Sequence, residues 1–347
     1  MTMYTIKPSQ VEKHVVKCMQ TGIVPYLSSS PGMGKSSIFR AIAKKYNLKV
    51  IDLRLSMCTP EDLMGLPMRN GNRASFATFE MFPTVDDKIP EGYSGWLLLL
   101  DEFPSAAKAV QAASYKIVLD RMVGQEYLHE NVFIVAAGNL TTDKAIVNQM
   151  GTAMQSRLVH FEMQSDHKEF MQFAAAAGYD HRILGFLDFQ PAKLHDFNPN
   201  HQDHTFACPR TWEFVSKMIK DEPFEEITMP MLAGAISDGV ATEFYAFLKQ
   251  YGKLPSFSSI CGDPENINVP SEAGTQYALL SMITEKMEHK LLDNVTKYIA
   301  RFPPEFQVIF WRGLVRKDMT YKDHPLYSKK TSHLVRFMYD DEATLAA

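Results

Sequence analysis

The residues best suited to chemistry form one short run, Ser30-Pro31-Gly32-Met33-Gly34-Lys35-Ser36-Ser37. An apolar segment that is predicted to be a strand, Ile23 to Ser29, precedes this run, and a segment with helical spacing follows it. Glycines in such a loop let backbone N–H groups turn towards a polyphosphate, and the helix N-terminus adds a favourable dipole. Lys35 is expected to reach the β- and γ-phosphates, while the Ser36 hydroxyl holds Mg²⁺. The usual pattern has glycine at position 29, where this sequence has Ser29.

Two adjacent carboxylates follow a second apolar run, in the segment Leu97-Leu98-Leu99-Leu100-Asp101-Glu102. The run Trp96 to Leu100 is predicted to be a buried parallel strand, because it is apolar on both faces. Ligands of open α/β sheets bind outside the carboxyl ends of the strands, which is where these two side chains would lie. Asp101 is expected to orient Mg²⁺, mostly through water, and Glu102 to polarise an attacking water as a base.

A polar amide, Asn139, ends a further predicted strand in the segment Ala136-Ala137-Gly138-Asn139. In isolation this segment is best interpreted as an ordinary turn. Beside a phosphate loop and two carboxylates, the side chain is expected to lie near the γ-phosphate and to orient the water.

Elements that position these residues alternate between strand and helix in the first half of the chain, which predicts right-handed βαβ crossovers and a parallel sheet. Asn70-Gly71 predicts a β-hairpin with a type I′ turn, because both positions would need positive φ. Beyond about residue 165 the pattern is helical. We therefore predict an α/β core at 1–164, an α-helical lid at 165–253 and a C-terminal helical extension at 254–347. The core sheet is expected to have five strands, near 23–29, 50–55, 96–100, 132–137 and 158–163.

Composition excludes several classes of protein. The chain has 347 residues, a formal net charge of −4 and 46% hydrophobic residues, which is typical of a globular protein with ample material for a core. The longest apolar run falls far short of the roughly 20 residues that a membrane-spanning helix needs. The segment Met1 to Lys7 does not resemble a secretory signal, and the four cysteines are far apart, so we expect a reducing cytoplasm and no membrane association. The slightly acidic balance disfavours binding of nucleic acid by bulk charge, although a local basic channel stays open.

The order of the motifs SSPGMGKS, LLLLDE, AAGN, QSRL and CPRT resembles that of AAA+ ATPases, and in particular of the MoxR-like group. Three further features resemble that branch: the segment Thr59 to Gly65, the hairpin at Asn70-Gly71, and the run Cys208-Pro209-Arg210-Thr211. The motif matches extend over residues 25–215. The resemblance implies an AAA+ P-loop NTPase core with a hairpin insert, followed by a helical lid and C-terminal helices.

The resemblance also implies a role for each site residue. Residues 30–37 form the Walker A loop that binds ATP, with Ser36 and Asp101 at Mg²⁺, and Asp101 with Glu102 form Walker B. Asn139 is placed at sensor 1. Arg157 matches the arginine finger, which reaches the ATP of a neighbouring subunit, and Arg210 matches sensor 2 in its own subunit. Arginine suits both positions because it stays charged and binds phosphate oxygens with a planar fork.

We therefore expect a Mg²⁺-dependent ATPase that forms a homo-oligomeric ring, commonly a hexamer, and that remodels or activates a protein client. By resemblance alone, a protein with a von Willebrand factor A domain is a candidate partner. Three alternatives stay open. The protein could be a motor that acts on DNA or RNA, which is not favoured, a nucleotide-gated scaffold with little turnover, or a small-molecule kinase on a P-loop fold.

Overall fold

Two units make up the chain, and each has apolar cores of its own. The computed structural model describes residues 4–143, 148 and 150–339. The first unit contains the described residues of Met1–Asp166 and of Asn198–His201. The second contains those of His167–Phe197 and Gln202–Ala347.

The first unit is built on a parallel sheet that has six strands within the described residues. All strands of this unit are, in chain order, β1 Thr5–Ile6, β2 Val24–Ser29, β3 Leu48–Arg54, β4 Leu66–Asn70, β5 Arg73–Ala77, β6 Gly95–Asp101, β7 Met122–Val123, β8 Glu126–Tyr127, β9 Val132–Asn139 and β10 Leu158–Met163. The order across the main sheet is β1-β10-β2-β9-β6-β3. The α/β class and the parallel sheet are confirmed, but the predicted number of five strands is wrong. Strand β1 pairs through only two residues at the edge of the sheet, which is too short for a hydrophobic pattern to indicate.

Helices cover both faces of this sheet: α1 Pro8–Gln20, α2 Lys35–Lys45, α3 Pro60–Met64, α4 Lys108–Asp120 and α5 Thr152–Gln155. Side chains on a strand alternate between faces, and β6 divides accordingly. Leu97 and Leu99 pack with α1 and α2, whereas Leu98 and Leu100 pack with α3 and α4. All four leucines have no solvent exposure, which explains the unbroken apolar run.

The predicted hairpin is present, but its turn is shifted by one residue. Strands β4 and β5 are antiparallel, and Asn70 pairs with Arg73, so Gly71 and Asn72 form the turn. Gly71 has φ +61°, while Asn72 does not have a positive φ. The predicted type I′ turn at Asn70-Gly71 is therefore wrong, since glycine at the first turn position is typical of type II′.

The second unit is helical throughout the described residues. Its helices are α6 His167–Ala176, α7 His181–Phe189, α8 Pro209–Ile219, α9 Met229–Ile236, α10 Asp238–Leu248, α11 Phe257–Gly262, α12 Ala273–Lys286, α13 Leu292–Ile299, α14 Pro304–Lys317, α15 Pro325–Thr331 and α16 Val335–Tyr339. Helices α9 and α10 are separated at Ser237, whose φ is +73°. Two clusters of buried apolar residues form the cores. The residues of one come from 171–278 and those of the other from 260–334. The boundary near 254 between lid and extension stays a prediction.

None of the helices in the described part of the chain combines the length and the apolar character that crossing a membrane requires.

Candidate active site

The loop that follows β2 has the backbone conformation that its glycines allow. Gly32 has φ +75° and Gly34 has φ +82°, in the left-handed region that residues other than glycine rarely adopt. Gly34 is the N-cap of α2, and its carbonyl accepts the first helical hydrogen bond, from the Ile38 N–H at 3.0 Å. The N–H groups of the first turn of α2 therefore have no partner within the helix. Such groups, together with the helix dipole, suit an anion.

Lys35 lies buried at the start of α2, with its ammonium turned back to the end of the sheet. The Nζ donates to the Ser29 carbonyl at 3.1 Å, the Ser29 hydroxyl at 3.0 Å and the Ser30 carbonyl at 3.3 Å. It also donates to Oδ1 of Asn139 at 3.0 Å. The register explains this meeting, because Ser29 and Asn139 pair across the neighbouring strands β2 and β9. Two residues that lie 104 positions apart in the sequence are thus brought together.

Ser36 and Asp101 are also in contact. The Ser36 hydroxyl donates to Oδ2 of Asp101 at 2.6 Å, and the Glu102 N–H donates to Oδ1 at 2.8 Å. Asp101 follows Leu97 and Leu99 at intervals of two residues, so its side chain lies on the face of the sheet that α2 covers. Within the described residues no cluster of three His, Cys, Asp or Glu could hold a metal. A hydroxyl and a carboxylate fit Mg²⁺ well, because Mg²⁺ takes few protein oxygens and completes its shell with phosphates and water.

Glu102 leaves the strand through a left-handed backbone conformation, with φ +55° and ψ +32°. This turn separates its carboxylate from that of Asp101. The Ser56 hydroxyl donates to Oε2 of Glu102. Ser56 was missed by the sequence reasoning, and the signal for it was weak. It follows β3, whose Arg54 pairs with Asp101, so the loop after β3 must pass the carboxylates.

Asn139 follows Gly138, and the structure leaves no space for a side chain at position 138. A Cβ at Gly138 would lie 2.3 Å from Cδ of Pro104 and 2.4 Å from the hydroxyl of Tyr26. Pro104 belongs to the 3₁₀ turn Phe103–Ser105 that follows Glu102. Burial raises the pKa of Tyr26, so its hydroxyl stays protonated beside this contact. The end of β9 and the segment after Glu102 are therefore in direct contact.

Arg157 lies between α5 and β10. Its Nη1 donates to the Ala153 carbonyl at 2.5 Å, and its guanidinium carbon lies 5.9 Å from the ring centroid of Tyr115. Its Nε is buried and has no hydrogen-bond partner in the part of the chain that the structure describes. Within the described residues, Arg157 makes no hydrogen bond or ion pair with the loop, Asp101 or Glu102. The sequence reasoning also missed Tyr115, which nothing in the pattern of α4 distinguishes from a core residue.

Arg210 lies in the second unit, exposed, in the first turn of α8. Pro209 begins this helix, and the Cys208 N–H donates to the hydroxyl of Thr211 at 2.9 Å. The local cap fixes where the helix starts. A position of Arg210 beside the phosphate loop stays a prediction.

Residues 25–159 match the family model described as ATPase family associated with various cellular activities (AAA). The match covers less than half of the chain. It contains the whole 30–37 loop together with Asp101, Glu102, Asn139 and Arg157, and it ends before the helical unit. The first unit thus contains an AAA domain, and its architecture is that of a P-loop NTPase core. No curated protein sequence matches the chain.

Two of the solved structures that match the chain are distant from it in sequence. A RuvB variant from Thermotoga maritima is 15% identical, with 84% of this chain and 86% of that chain covered and a TM-score of 0.39. NtrX from Brucella abortus in complex with ATP is 13% identical, with 100% of this chain and 70% of that chain covered and a TM-score of 0.37. Likenesses at this level say nothing about the activity of this chain.

Proposed function

We propose that this protein is a Mg²⁺-dependent ATPase of the MoxR-like AAA+ type. The observation that carries the proposal is the convergence of Lys35, the Ser36–Asp101 pair and Asn139 at the carboxyl ends of β2, β6 and β9. These side chains come from three distant parts of the sequence. They supply a cation for phosphate, two oxygens for a divalent ion and an amide for a water.

Each residue then has a defined task in phosphoryl transfer, which needs positioning and charge neutralisation more than covalent chemistry. Backbone N–H groups of the 30–37 loop bind the phosphates, and Lys35 donates to the β- and γ-phosphate oxygens. Ser36 and Asp101 would hold Mg²⁺, which would supply positive charge against the negative charge of the phosphates. Glu102 accepts a proton from the attacking water, Asn139 orients that water, and the Ser56 hydroxyl fixes the Glu102 carboxylate.

The remaining assignments concern assembly and follow from the family resemblance. Arg157 acts in trans on the ATP of the adjacent protomer, and Arg210 acts in cis from the lid, residues 165–253. This arrangement requires a homo-oligomeric ring, which we propose to be a hexamer in the cytoplasm. The ring would remodel or activate a protein client, with a von Willebrand factor A domain protein as the proposed partner. The extension, 254–347, is a candidate for client contact.

A second candidate function, action on DNA or RNA, is favoured by one observation. The first fifty residues contain eight Lys or Arg and a single acidic residue, Glu12, although the whole chain has a net charge of −4. Lys13 and Lys17 on α1 and Lys44 on α2 are exposed. Stimulation of ATP hydrolysis by DNA or RNA that declines as salt rises would support this candidate over a protein client.

Hydrolysis measured over a wide range of protein concentration tests the proposed ATPase. Phosphate release should require Mg²⁺, and the rate per protomer should fall once dilution dissociates the ring, because each site then loses its neighbour's Arg157. A rate per protomer that stays constant while sedimentation shows monomers would contradict the trans arrangement. Transfer of phosphate to a small molecule instead of water would indicate a kinase.

A further inference from the structure

The position where the phosphate-loop pattern has glycine carries a hydroxyl in this chain. Ser29 is the last residue of β2 and has no solvent exposure. Its hydroxyl donates to the Ser30 carbonyl at 3.0 Å and accepts from Lys35 Nζ at 3.0 Å. Both the donor and an acceptor position of the hydroxyl are therefore used, and its orientation is fixed.

The backbone at position 29 does not require glycine. Ser29 is not among the non-glycine residues with a positive φ, and it pairs in register with Asn139 in the sheet. A Cβ is therefore accommodated without strain. The difference between glycine and serine at this position lies in the added hydroxyl and its contact with Lys35.

The ammonium group of Lys35 has more acceptors than protons. It carries three N–H donors, and the described residues alone place four oxygens within hydrogen-bond distance: two on Ser29, one on Ser30 and one on Asn139. All its donors can thus be satisfied within the chain. A phosphate oxygen that accepts from Lys35 must replace one of these bonds, and the Ser29 hydroxyl is one competitor for the ammonium.

We propose that Ser29 is a positioning residue that holds Lys35 on the protein and thereby lowers the affinity of the loop for ATP. This inference rests on the proposed ATP-binding function. It predicts that the hydroxyl favours the nucleotide-free state, so the loop fills at a higher ATP concentration than it would with alanine or glycine at position 29.

Binding of MgATP to the full chain tests this, measured in the Glu102→Gln background so that the nucleotide stays intact. Loss of one shared hydrogen bond to a charged group should make Ser29→Ala bind ATP about three- to tenfold more tightly. Ser28→Ala is the matched control, because Ser28 is also buried on β2 but donates to the Phe161 carbonyl at 3.2 Å. Its ATP affinity should equal that of the parent. Unchanged or weaker binding by Ser29→Ala overturns the proposal.

A double-mutant cycle separates this effect from a general change in the loop. In the Lys35→Met background, titrated to millimolar ATP, Ser29→Ala should have no effect on affinity, because the ammonium is gone. Persistence of the same tightening there would also overturn the proposal. Failure of the parent to bind ATP, or normal binding by Lys35→Met, would instead contradict the proposed function. Normal parent binding with a neutral Ser29→Ala would remove only the role of Ser29.

Discussion

Lys35 and Arg157 are two cations that we assign to the same triphosphate, one from each side of a subunit boundary, and their surroundings differ. Lys35 is buried, and its ammonium donates to at least four oxygens of the described residues. Arg157 is only partly buried, and among the described residues its guanidinium donates one hydrogen bond, to Ala153, while its Nε has no partner there. A guanidinium has five N–H donors, and most of those on Arg157 make no hydrogen bond to the part of its own chain that the structure describes. The comparison teaches that the Lys35 ammonium is held by its own protomer, whereas the Arg157 guanidinium keeps donors for the phosphate that we propose it reaches in the neighbouring protomer.

The largest effect on kcat should come from a substitution of Arg157. We expect Arg157→Ala to lower kcat by about 10³- to 10⁵-fold, as for other arginine fingers, with ATP affinity retained. Mixing it with Glu102→Gln should restore part of the activity, because some interfaces then pair an intact Glu102 with an intact Arg157. If mixed rings form and remain inactive, the comparison fails, since Arg157 would then act within its own protomer.

Glu102→Gln should have the next largest effect. Loss of the base should lower kcat by about 10²- to 10⁴-fold, while ATP binding and assembly persist because the Ser36–Asp101 pair is untouched. Single-turnover hydrolysis and equilibrium binding, measured on the same preparation, check this. A variant with normal turnover would exclude Glu102 from the mechanism.

Lys35→Ala should act on binding. Removing a charged hydrogen-bond donor should weaken ATP affinity by about 10- to 100-fold, as measured by calorimetry. Thermal unfolding without nucleotide serves as the control, because Lys35 also contacts Asn139 and its loss could loosen the loop. Equal ATP affinity in a folded variant would show that the loop is not the phosphate site.

Substitution of Tyr115 should have the smallest effect on kcat, and two variants separate the role of its ring from that of its hydroxyl. We expect Tyr115→Leu to lower kcat about two- to fivefold through loss of the cation–π contact with Arg157, with no change in ATP affinity. Tyr115→Phe keeps the ring and should retain activity. An equal loss in both variants would point to the hydroxyl instead of the ring face.

Much of the fold could be predicted because buried parallel strands have a strong sequence signal. The run Trp96 to Leu100 was predicted to be a strand because it is apolar on both faces, and the other four longer strands of the main sheet were predicted as well. The edge strand Thr5–Ile6 has no such signal, because pairing on one side through two residues needs no apolar run. The hairpin turn was misplaced by one residue, since Asn70-Gly71 and Gly71-Asn72 are both favourable turn pairs and strand register decides between them.

The candidate site, like the fold, was predicted from the sequence only in part. The sequence predicted the loop, the two carboxylates and Asn139, because each directly follows a recognisable strand. It did not predict the Ser56–Glu102 contact or the packing of Tyr115 on Arg157, since both join segments far apart in the chain through ordinary residue types. A lone serine or tyrosine has no pattern that indicates its partner. Such contacts form because the order of the strands in the sheet brings distant segments of the chain together.

The close packing at Gly138 affects how the two segments beside it can move. Strand β9 touches Pro104 and Tyr26 at this point with no clearance for even a methyl group. The proposed water-orienting amide and the proposed base thus lie on two backbone segments that pack directly against each other. We expect a displacement of one segment to shift the other, so that the two groups take up or lose their working positions together.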